Sequence, residues 1–593
     1  MSVCLMWLLL FLSHQLFAED ILAPIEVKAT KNVSAFSFSS SKKISLEEKK
    51  DATITTLLES VSGTMTVQDG GPGGRVSYFI RGTESRHVSF TLDGLKLNDP
   101  SNNDRQFDSS FFTSPFLAEI DVHKGPQAVL YGSDALGGQV EMKTRKGENA
   151  PDTRLEINGG SFGTIDSSLS SDWKNKNHHG TLTATRFHSD GLSRLNDKRF
   201  RARERDAADI TQVTSSSAHH WNPKWSSELL ASYLHGKNEL DGGITENTKD
   251  HSVNDQYILQ QKTNYELNEK SSFSLRNGLS RHQRAIRMLG QGLTQFEGDL
   301  YQHELLYQYD HSSDWHILSG LGNEREDLDL KTIKKESDLK SLFIQSFYKQ
   351  EIIKYQLGLR SEQHSKYGRF DTSSAGIALY KNKSELGLQY SQGFKAPSLY
   401  QLYGPASFGF AVGNRDLVPE KNHGLELIGK TEYFEVSVFQ NSLNDLIVYN
   451  VAQGFQNQGN FIVEGVELSS TIKGQDFQIA PSFTHQTFKD EETKILRRPQ
   501  NSAQLQLIYF MTASFEISAK GKWMGSRLDL DPRVQDRFVK LSSYEILDLG
   551  CKYSFTKDEV GFQLLNVFDR EYENSFGYST TPLSLFAHYG HRF

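Results

Sequence analysis

The feature that most constrains this chain is an alternation of apolar and polar residues, with a period of two, that recurs from about Thr153 to Phe593. In the segment YFEVSVFQNS, Phe434, Val436 and Val438 fall on one side, opposite Glu435, Ser437 and Phe439. A period of two is the spacing of a β-strand whose two faces meet different surroundings. About 440 residues, at roughly 20 for a strand and its connection, predict on the order of 22 strands.

Hydropathy argues against a membrane protein built of spanning helices. The mean hydropathy is −0.52, and after the first 18 residues there is no apolar run long enough for a membrane-spanning helix. Aromatic residues are frequent, with 37 Phe and 23 Tyr, which suits a transmembrane barrel with aromatic girdles. A large secreted β-sandwich or propeller fits the composition equally well. The net charge of −8 lacks the basic balance typical of nucleic-acid binding.

The N-terminal residues of the chain predict export, and the C-terminal residues predict a barrel. The short apolar core Leu5 to Leu12, followed by Ala18, predicts a signal peptide over residues 1–18. Its removal would take away Cys4 and leave Cys551 alone, so no intrachain disulfide is expected. At the other end, alternate positions from Leu585 to Phe593 form an amphipathic strand that stops on an aromatic residue, as outer-membrane barrels typically do.

Three zones follow the predicted signal peptide. Residues 19–45 are rich in Ser and Lys and predict a flexible tether. Residues 46–147 contain short apolar runs closed by glycine turns, which predict a compact α/β domain, and residues 148–593 are assigned to the barrel. Within the tether, residues 25–30 alternate briefly. Such a stretch is either a disordered leader or a strand that adds to the edge of another protein's sheet.

Specific motifs identify a family resemblance. The segments FIRGTESRHVSFTLDGLKLND (79–99) and VHKGPQAVLYGSDALGGQVEMKT (122–144) resemble the plug domain of TonB-dependent outer-membrane receptors. FKAPSLYQLYG (394–404) and NVFDREYENSFGY resemble the family's barrel motifs. The resemblance implies an N-terminal plug inside the barrel lumen, import of a scarce ligand across the outer membrane, and TonB with its inner-membrane energising complex as partner. It also identifies the coupling segment, or Ton box, as Ile25, Glu26, Val27, Lys28, Ala29 and Thr30.

Structural roles in the plug are expected for residues of these motifs. They are Arg81, Gly82, Asp93, Gly94, Gly125, Pro126, Tyr131, Gly132, Gly137 and Gly138. Glycine permits the sharp turns that a domain packed inside a barrel requires. Four plug cations are expected to pair with carboxylates of the barrel wall rather than with ligand, because buried charges are usually paired: Arg81, Arg86, Lys124 and Arg145.

Within the family, the sequence most resembles the cobalamin receptors, which implies cobalamin or a related corrinoid as ligand. Ligand contacts are then expected from two plug loops, at Asp69, Gly70, Gly71, Gly73, Asn98, Asp99, Asn102 and Arg105. Haem receptors carry a His between two barrel motifs, and none lies between Phe394–Pro397 and Asn414–Leu417 here. A ferric siderophore stays open as an alternative, since Phe408, Phe410 and Arg415 permit an aromatic and basic vestibule.

Cofactors and catalysis are not expected. Cobalamin receptors carry an acidic calcium cluster in an early barrel loop. Here the corresponding stretch holds Asp190, Asp197, Asp206 and Asp209, but interleaved Arg and Lys disfavour calcium. There is no Ser/His/Asp grouping or metal-spaced His/Cys set, and the glycine loop DGGPGG lacks the Lys of a phosphate-binding loop, so an enzyme is not predicted. A surface adhesin or phage-attachment barrel is the alternative from a different class.

Overall fold

The computed structural model describes residues 40–46, 53–148, 151–200, 204–241, 250–288, 292–406, 412–450, 453–490, 495–531, 533–534 and 537–593. The predicted signal peptide, the predicted Ton box and the pair Phe408 and Phe410 lie outside these ranges. Within them, no helix has the length and apolar character needed to cross a bilayer.

The N-terminal domain is a small mixed α/β unit. Its five-stranded sheet has the order β1-β6-β7-β4-β5, in which β4 and β7 run parallel, and β2 and β3 form a separate hairpin. The strands are β1 Ser41–Ser45, β2 Thr64–Gln68, β3 Val76–Ile80, β4 Val88–Leu92, β5 Leu95–Lys96, β6 Leu117–Lys124 and β7 Gly138–Thr144. The helices are Ile54–Glu59 and Ala128–Tyr131, with 3-10 turns at Ser85–His87 and Ser109–Phe111.

The first helix shows how the sequence builds the core of this domain. Thr53 caps it, because its side chain accepts a hydrogen bond from the backbone N–H of Thr56. Ile54, Leu57 and Leu58 then fall on one face, and all three are buried in the main hydrophobic cluster, which the domain shares with the inner wall of the barrel. The spacing of three and four residues is that of an amphipathic helix.

The edge strand β1 corrects the predicted boundary between tether and plug. Ser41 lies opposite His123 and Ser45 opposite Glu119, so residues 41–45 belong to the plug sheet and not to a flexible tether. Ile44 is the one apolar residue of this strand, and it is buried. Backbone pairing with β6 and a single buried side chain are enough to dock an edge strand, and such a segment looks like a linker in composition.

The C-terminal domain is a closed antiparallel barrel of 22 strands, as the sequence predicts. Its last strand pairs with its first, which closes the cylinder. The strands of this domain are β8 Asp152–Gly160, β9 Thr164–Lys174, β10 His178–Ser189, β11 Ala208–Asn222, β12 Trp225–Glu239, β13 His251–Asn268, β14 Ser271–Met288, β15 Gly292–Asp310, β16 Trp315–Asp329, β17 Lys334–Gln350, β18 Ile353–His364, β19 Gly368–Lys381, β20 Ser384–Lys395, β21 Glu420–Lys430, β22 Phe434–Asn444, β23 Ile447–Asn450, β24 Gly454–Asn457, β25 Phe461–Ser470, β26 Ile472–Lys473, β27 Phe477–Asp490, β28 Asn501–Phe510, β29 Phe515–Met524, β30 Arg527–Leu530, β31 Phe538–Leu541, β32 Tyr544–Ser554, β33 Asp558–Leu565 and β34 Ser584–Arg592.

Four of these strands form two hairpins that lie outside the cylinder. The hairpins β23–β24 and β30–β31 belong to connecting loops, and β26 continues β25. Two further short helices, Asp197–Phe200 and Leu399–Tyr403, also lie in connections. The two rims therefore differ. We call the rim with the short connections, such as 223–224 and 351–352, the turn rim. The rim with the long connections, such as 396–419 and 566–583, is the loop rim. The plug chain enters β8 at the turn rim.

The outer face of the barrel is apolar, which is the reverse of a soluble protein. On β18, Leu357 and Leu359 are more than half exposed, whereas Gln356 and Arg360 are buried toward the plug. Exposed aromatic side chains gather beside the connections of the turn rim: Trp221, Trp225, Tyr433, Phe434, Tyr509, Phe510, Phe555 and Phe593. An apolar band bordered by aromatic residues is the surface that a bilayer covers.

Candidate functional site

The glycine loop 69–74, predicted to contact ligand, lies against the outer connection between β10 and β11. A Cβ on Gly70 would approach the Arg194 side chain to 2.7 Å, and Asn238 donates a hydrogen bond of 3.1 Å to the carbonyl oxygen of Gly73. The Asp69 carboxylate accepts from Arg75 at 2.9 Å. The loop is therefore placed toward the loop rim, as the prediction requires, although several of its groups already have protein partners.

The second predicted loop, around residues 98–105, contains both internal and outward-facing residues. The Asn98 amide accepts from the Phe90 N–H at 3.1 Å and donates to the Arg105 carbonyl oxygen at 2.9 Å. Asn98 thus holds the loop together from inside. Asp99 accepts two hydrogen bonds from Ser101, at 2.8 and 2.7 Å, while Asn102 is half-buried and Asn103 is exposed.

Arg105 is also committed to the protein interior. Its guanidinium lies 2.7 Å from Asp134 in the plug and 2.7 Å from Glu326 on β16, and it donates to the Ala396 carbonyl oxygen at 2.9 Å. Burial alone would lower the pKa of Arg105, but the two carboxylates outweigh it and raise that pKa. Asn98 and Arg105 can therefore contact a ligand only after the plug rearranges, whereas Asn102 and its neighbour Asn103 lie closer to solvent.

The four plug cations predicted to pair with carboxylates all do so. Arg81 forms an ion pair with Glu426 and, at 2.9 Å, with Glu467, and Lys124 binds Glu467 at 2.5 Å. We call Arg81, Lys124, Glu426 and Glu467 the Arg81 cluster. Arg86 lies 3.0 Å from Glu420, and Arg145 lies 2.7 Å from Asp172. Each pair joins the plug to a barrel strand.

The wall carboxylates Glu420, Glu426 and Glu467, which bind the plug cations, were not singled out by the sequence. All three are buried at inward-facing positions of β21 and β25. The available signal was a charged residue on the polar side of an alternating strand, but most inward positions of a barrel are polar, so the pattern does not single these out.

Two of the predicted structural glycines show why that residue is needed. Gly94 has φ of +84°, and a Cβ there would overlap the guanidinium of Arg276 on β14. Gly132 ends the helix Ala128–Tyr131 with φ of +78°, and a Cβ would lie 2.9 Å from Arg360 on β18. Both positions combine a left-handed backbone with contact to the wall, which a side chain would disturb.

The remaining predicted structural residues lie at the same interface. Asp93 binds Lys146 at 2.8 Å and the Thr144 N–H at 3.0 Å, so it ties the plug to the chain that enters the barrel. The others adjoin the wall, the plug sheet or both: Gly82 faces Phe488, Pro126 faces Gly424, Gly125 adjoins Arg81, Tyr131 bonds Glu141, Gly137 contacts Thr83 and Gly138 contacts His123.

Potential metal ligands form three groups among the described residues: Asp121, His123 and Glu141; Asp134, Glu324 and Glu326; and Glu204, Asp206 and Asp241. Side-chain cations of the protein already neutralise the first two groups. Lys143 lies 2.7 Å from Asp121, and Arg105 lies 2.7 Å from Asp134.

The third group overlaps the stretch in which interleaved Arg and Lys disfavour calcium, but only Asp206 is shared with the four aspartates of that stretch. Asp206 joins Glu204 and Asp241, and it accepts from the Arg194 N–H at 2.7 Å. Asp209 instead pairs with Arg186, Asp190 lies 3.8 Å from Arg205, and the side chain of Asp197 lies outside the described part of the chain. Asp190 and Asp209 are therefore paired with basic residues, and positive charge nearby disfavours calcium binding.

A barrel with an apolar outer belt and a lumen closed by a plug defines a gated transporter of the bacterial outer membrane. The chain belongs to the TonB-dependent receptor family. Residues 150–567 match the family described as TonB dependent receptor-like, beta-barrel, and residues 30–139 match the TonB-dependent Receptor Plug Domain.

Individual relatives differ in their stated ligands. The vitamin B12 transporter BtuB of Vibrio vulnificus strain YJ016 is 23% identical over 574 residues, covering 90% of this chain and 88% of the relative. The siderophore receptor PirA of Acinetobacter baumannii superimposes with a TM-score of 0.78 at 17% identity, over 93% of this chain and 98% of that one. The ferric enterobactin receptor PfeA of Pseudomonas aeruginosa gives 0.79 at 15% identity, over 94% and 99%. Both structural likenesses establish the fold alone.

Proposed function

We propose that this protein imports cobalamin or a related corrinoid across the outer membrane. The observation that carries the proposal is the sequence similarity to a vitamin B12 transporter along nine-tenths of the chain. The similarity spans both plug and barrel, so it includes the loops from which ligand contacts are expected. The ferric siderophore receptors share the fold at lower identity.

The charge at the loop rim supports a neutral ligand. Three outer-loop arginines are paired with carboxylates: Arg199 with Glu573 at 2.5 Å, Arg533 with Asp531 at 2.8 Å and Arg497 with Asp529 at 3.0 Å. A pair of this kind has little attraction left for a distant anion. Cobalamin is neutral and carries a fringe of amides, so hydrogen-bonding groups such as Asn102 and Asn103 suit it.

An apolar platform at the same rim suits a large ring. Leu402, Val412 and Phe455 form a buried cluster within the connections after β20 and β22, with Tyr400 and Tyr403 packed against it. Arg415 lies over the Tyr403 ring at 5.4 Å. Aromatic side chains on a rigid base provide contact area at low entropic cost, which favours binding of a flat macrocycle.

Energy for release of the ligand is assigned to the Ton box. The outer membrane holds no ATP, so uptake against a gradient must draw on the inner membrane. Residues 25–30 would pair edge to edge with a strand of TonB, and a pull on this segment reaches the plug through β1 and its pairing with β6. The ion pairs of the Arg81 cluster join that same sheet region to the wall.

Direct binding tests the proposal. Purified protein is titrated with cyanocobalamin, dicyanocobinamide, ferric enterobactin and haemin, with binding followed by equilibrium dialysis. We expect tight binding of the two corrinoids, and growth rescue by cyanocobalamin in cells that lack their own receptor. Tight binding of the ferric chelate with none of either corrinoid would replace the proposal with its alternative, a ferric siderophore receptor, and haemin binding alone would indicate a haem receptor.

A further inference from the structure

Three basic side chains gather at the apolar platform of the loop rim. The Lys335 ammonium lies 5.0 Å from the centroid of the Tyr403 ring, and the Arg415 guanidinium lies 5.4 Å from the same centroid. The Lys366 ammonium lies 5.0 Å from the centroid of the Tyr367 ring and donates a hydrogen bond of 2.6 Å to the Arg415 carbonyl oxygen. We call Lys335, Lys366 and Arg415 the cation patch.

The cation patch is assembled from three separate parts of the chain. Lys335 is the second residue of β17, Lys366 lies between β18 and β19, and Arg415 lies in the connection after β20. All three residues are exposed. Lys335 stands opposite Leu328 of β16, whose side chain is buried toward the lumen. Because residues opposite each other in a sheet share a face, Lys335 points toward the open end of the lumen and not toward lipid.

Carboxylates do not neutralise the cation patch. Among the described residues no Asp or Glu forms an ion pair with any of its three members, whereas the adjacent Lys334 pairs with Asp329 at 2.6 Å. Burial lowers the pKa of Lys366, Asp416 opposes this lowering, and Arg415 adds to it. A lysine in a full ion pair has its pKa raised, so Asp416 does not act as such a partner for Lys366.

The arrangement suits an oxyanion. Lys335 and Arg415 lie over one tyrosine ring, so their charges are within about 10 Å of each other. Like charges held this close repel, and an anion placed between them relieves the repulsion. The arginine fork matches the geometry of a phosphate, and each lysine adds a point charge. The tyrosine faces hold the cations in position by cation–π contact.

The cation patch borders the plug loop from which ligand contacts are expected. The hydroxyl of Ser398, which caps the helix Leu399–Tyr403, donates a hydrogen bond of 2.5 Å to the Asn103 carbonyl oxygen. Tyr403 is the last residue of that helix, and a helix of five residues is about 7 Å long. A large ligand that contacts Asn102 and Asn103 can therefore reach the cation patch as well.

We propose that the cation patch binds the phosphodiester of a complete corrinoid. Cobalamin is neutral overall because a positive charge at its cobalt–corrin centre balances the negative charge of its phosphodiester, which joins the edge of the ring to the lower base. With the ring on the apolar platform and its amides at the plug loop, the phosphodiester lies near the three cations. This assignment rests on the proposed function and adds to it a preference for cobalamin over cobinamide, which lacks the phosphate and the lower base.

Three corrinoids that differ in this group test the assignment. Cyanocobalamin carries the phosphodiester and the lower base, cobinamide phosphate carries a phosphate without the base, and dicyanocobinamide carries neither. The test variant combines Lys335→Gln, Lys366→Gln and Arg415→Gln. The matched control is Lys334→Gln, which removes an exposed lysine of the same strand whose charge Asp329 already balances. Binding to the purified full-length barrels is measured by equilibrium dialysis, after heat-dependent gel mobility has shown that each is folded.

We expect the triple variant to bind cyanocobalamin and cobinamide phosphate about tenfold more weakly than the wild type, with dicyanocobinamide changed less than about twofold. Lys334→Gln should bind all three as the wild type does. Arg415→Lys, which keeps the charge, should retain more affinity for cyanocobalamin than Arg415→Gln. In the wild type, the preference for the two phosphate-bearing ligands should shrink as salt rises from about 0.05 to about 0.5 M, because salt screens exposed charges.

Three results would overturn the phosphate contact while leaving the proposed function intact. The first is unchanged cyanocobalamin binding by the triple variant. The second is an equal loss for all three corrinoids, because the cations would then support the ring or the loops. The third is a loss for cyanocobalamin but not for cobinamide phosphate, which would assign the contact to the lower base. If the wild type binds ferric enterobactin and none of the corrinoids, the proposed function itself fails, and the phosphate contact fails with it.

Discussion

At the scale of single residues, Arg81 is the side chain on which the seating of the plug most depends. It is 1% exposed and binds two wall carboxylates, Glu426 and Glu467. Arg81→Ala leaves these two anions buried side by side, which costs about 3–5 kcal/mol by the usual penalty for breaking a buried pair. We expect faster hydrogen exchange in β3 and higher outer-membrane permeability to large antibiotics.

The matched control for Arg81 is Lys124→Met, which removes a neighbouring cation but leaves Arg81 with both carboxylates. It should have the smaller effect on both measurements. Equal exchange rates in wild type and Arg81→Ala would show that the cluster does not hold the plug.

A second residue, Asp206, makes the outer connection before β11 sensitive to pH. Burial, followed by the charges of Asp241 and Glu239 and opposed by Arg194, raises the pKa of Asp206 to about 6. The folded connection thus binds a proton more tightly than the unfolded chain, and its stability falls as pH rises from about 4 to 6. We expect hydrogen exchange in residues 204–207, after correction for intrinsic rates, to show more protection at pH 5 than at pH 7.5. Asp206→Asn should remove this difference, and a pH effect that survives the substitution would contradict it.

The sequence predicts the role of a residue only when the chemistry of its side chain requires a particular kind of partner. The pairing of Arg81, Arg86, Lys124 and Arg145 follows from the rule that buried charges need counterions. The inward orientation of Asn98 and Arg105 does not follow, because an Asn or Arg in a polar loop fits an internal bond as well as a ligand. Only the fold decides between these possibilities.

At the scale of elements, the predicted Ton box is the segment with the clearest test. Val27→Pro removes a backbone N–H donor from the proposed pairing with TonB and fixes the backbone angle φ. We expect transport of ligand to fall to background while binding to purified protein stays unchanged. Ser34→Pro, in the same predicted tether but outside residues 25–30, is the control and should transport normally. Uptake by Val27→Pro at the wild-type rate would refute the coupling role.

The sequence pattern predicts the barrel strands but not the edge strand β1, and the reason is physical. Barrel strands such as β18 and β22 alternate because one face meets lipid and the other meets plug, so periodicity predicts them. The edge strand β1 has no such contrast, since Ile44 is its one buried apolar side chain. Its existence depends on β6, which lies more than seventy residues away in the sequence, and no local pattern records that contact.

At the scale of the whole molecule, the strand pairing that closes the barrel wall does not involve the plug. The wall is closed by backbone hydrogen bonds from β8 around to β34, and its outer face is apolar whether or not the lumen is filled. The hydrophobic cluster of the plug is built around its first helix and central strands, and wall residues of β11 to β13 pack into it. The wall carboxylates Glu420, Glu426 and Glu467 would become hydrated if the plug were absent, so they would no longer need counterions.

Deletion of residues 41–146 should therefore leave a folded barrel with an open lumen. We expect the variant to keep the heat-sensitive mobility of a closed barrel on gels, to form large ion-conducting channels in planar bilayers and to lose energised uptake. The full chain under the same conditions is the control and should conduct little, because the plug fills the lumen. A deleted barrel that folds but does not conduct would mean that the wall collapses or that its loops close it. A deleted chain that fails to fold would show that the plug is needed to complete the barrel, contrary to the separation of the two domains argued from their hydrogen bonds.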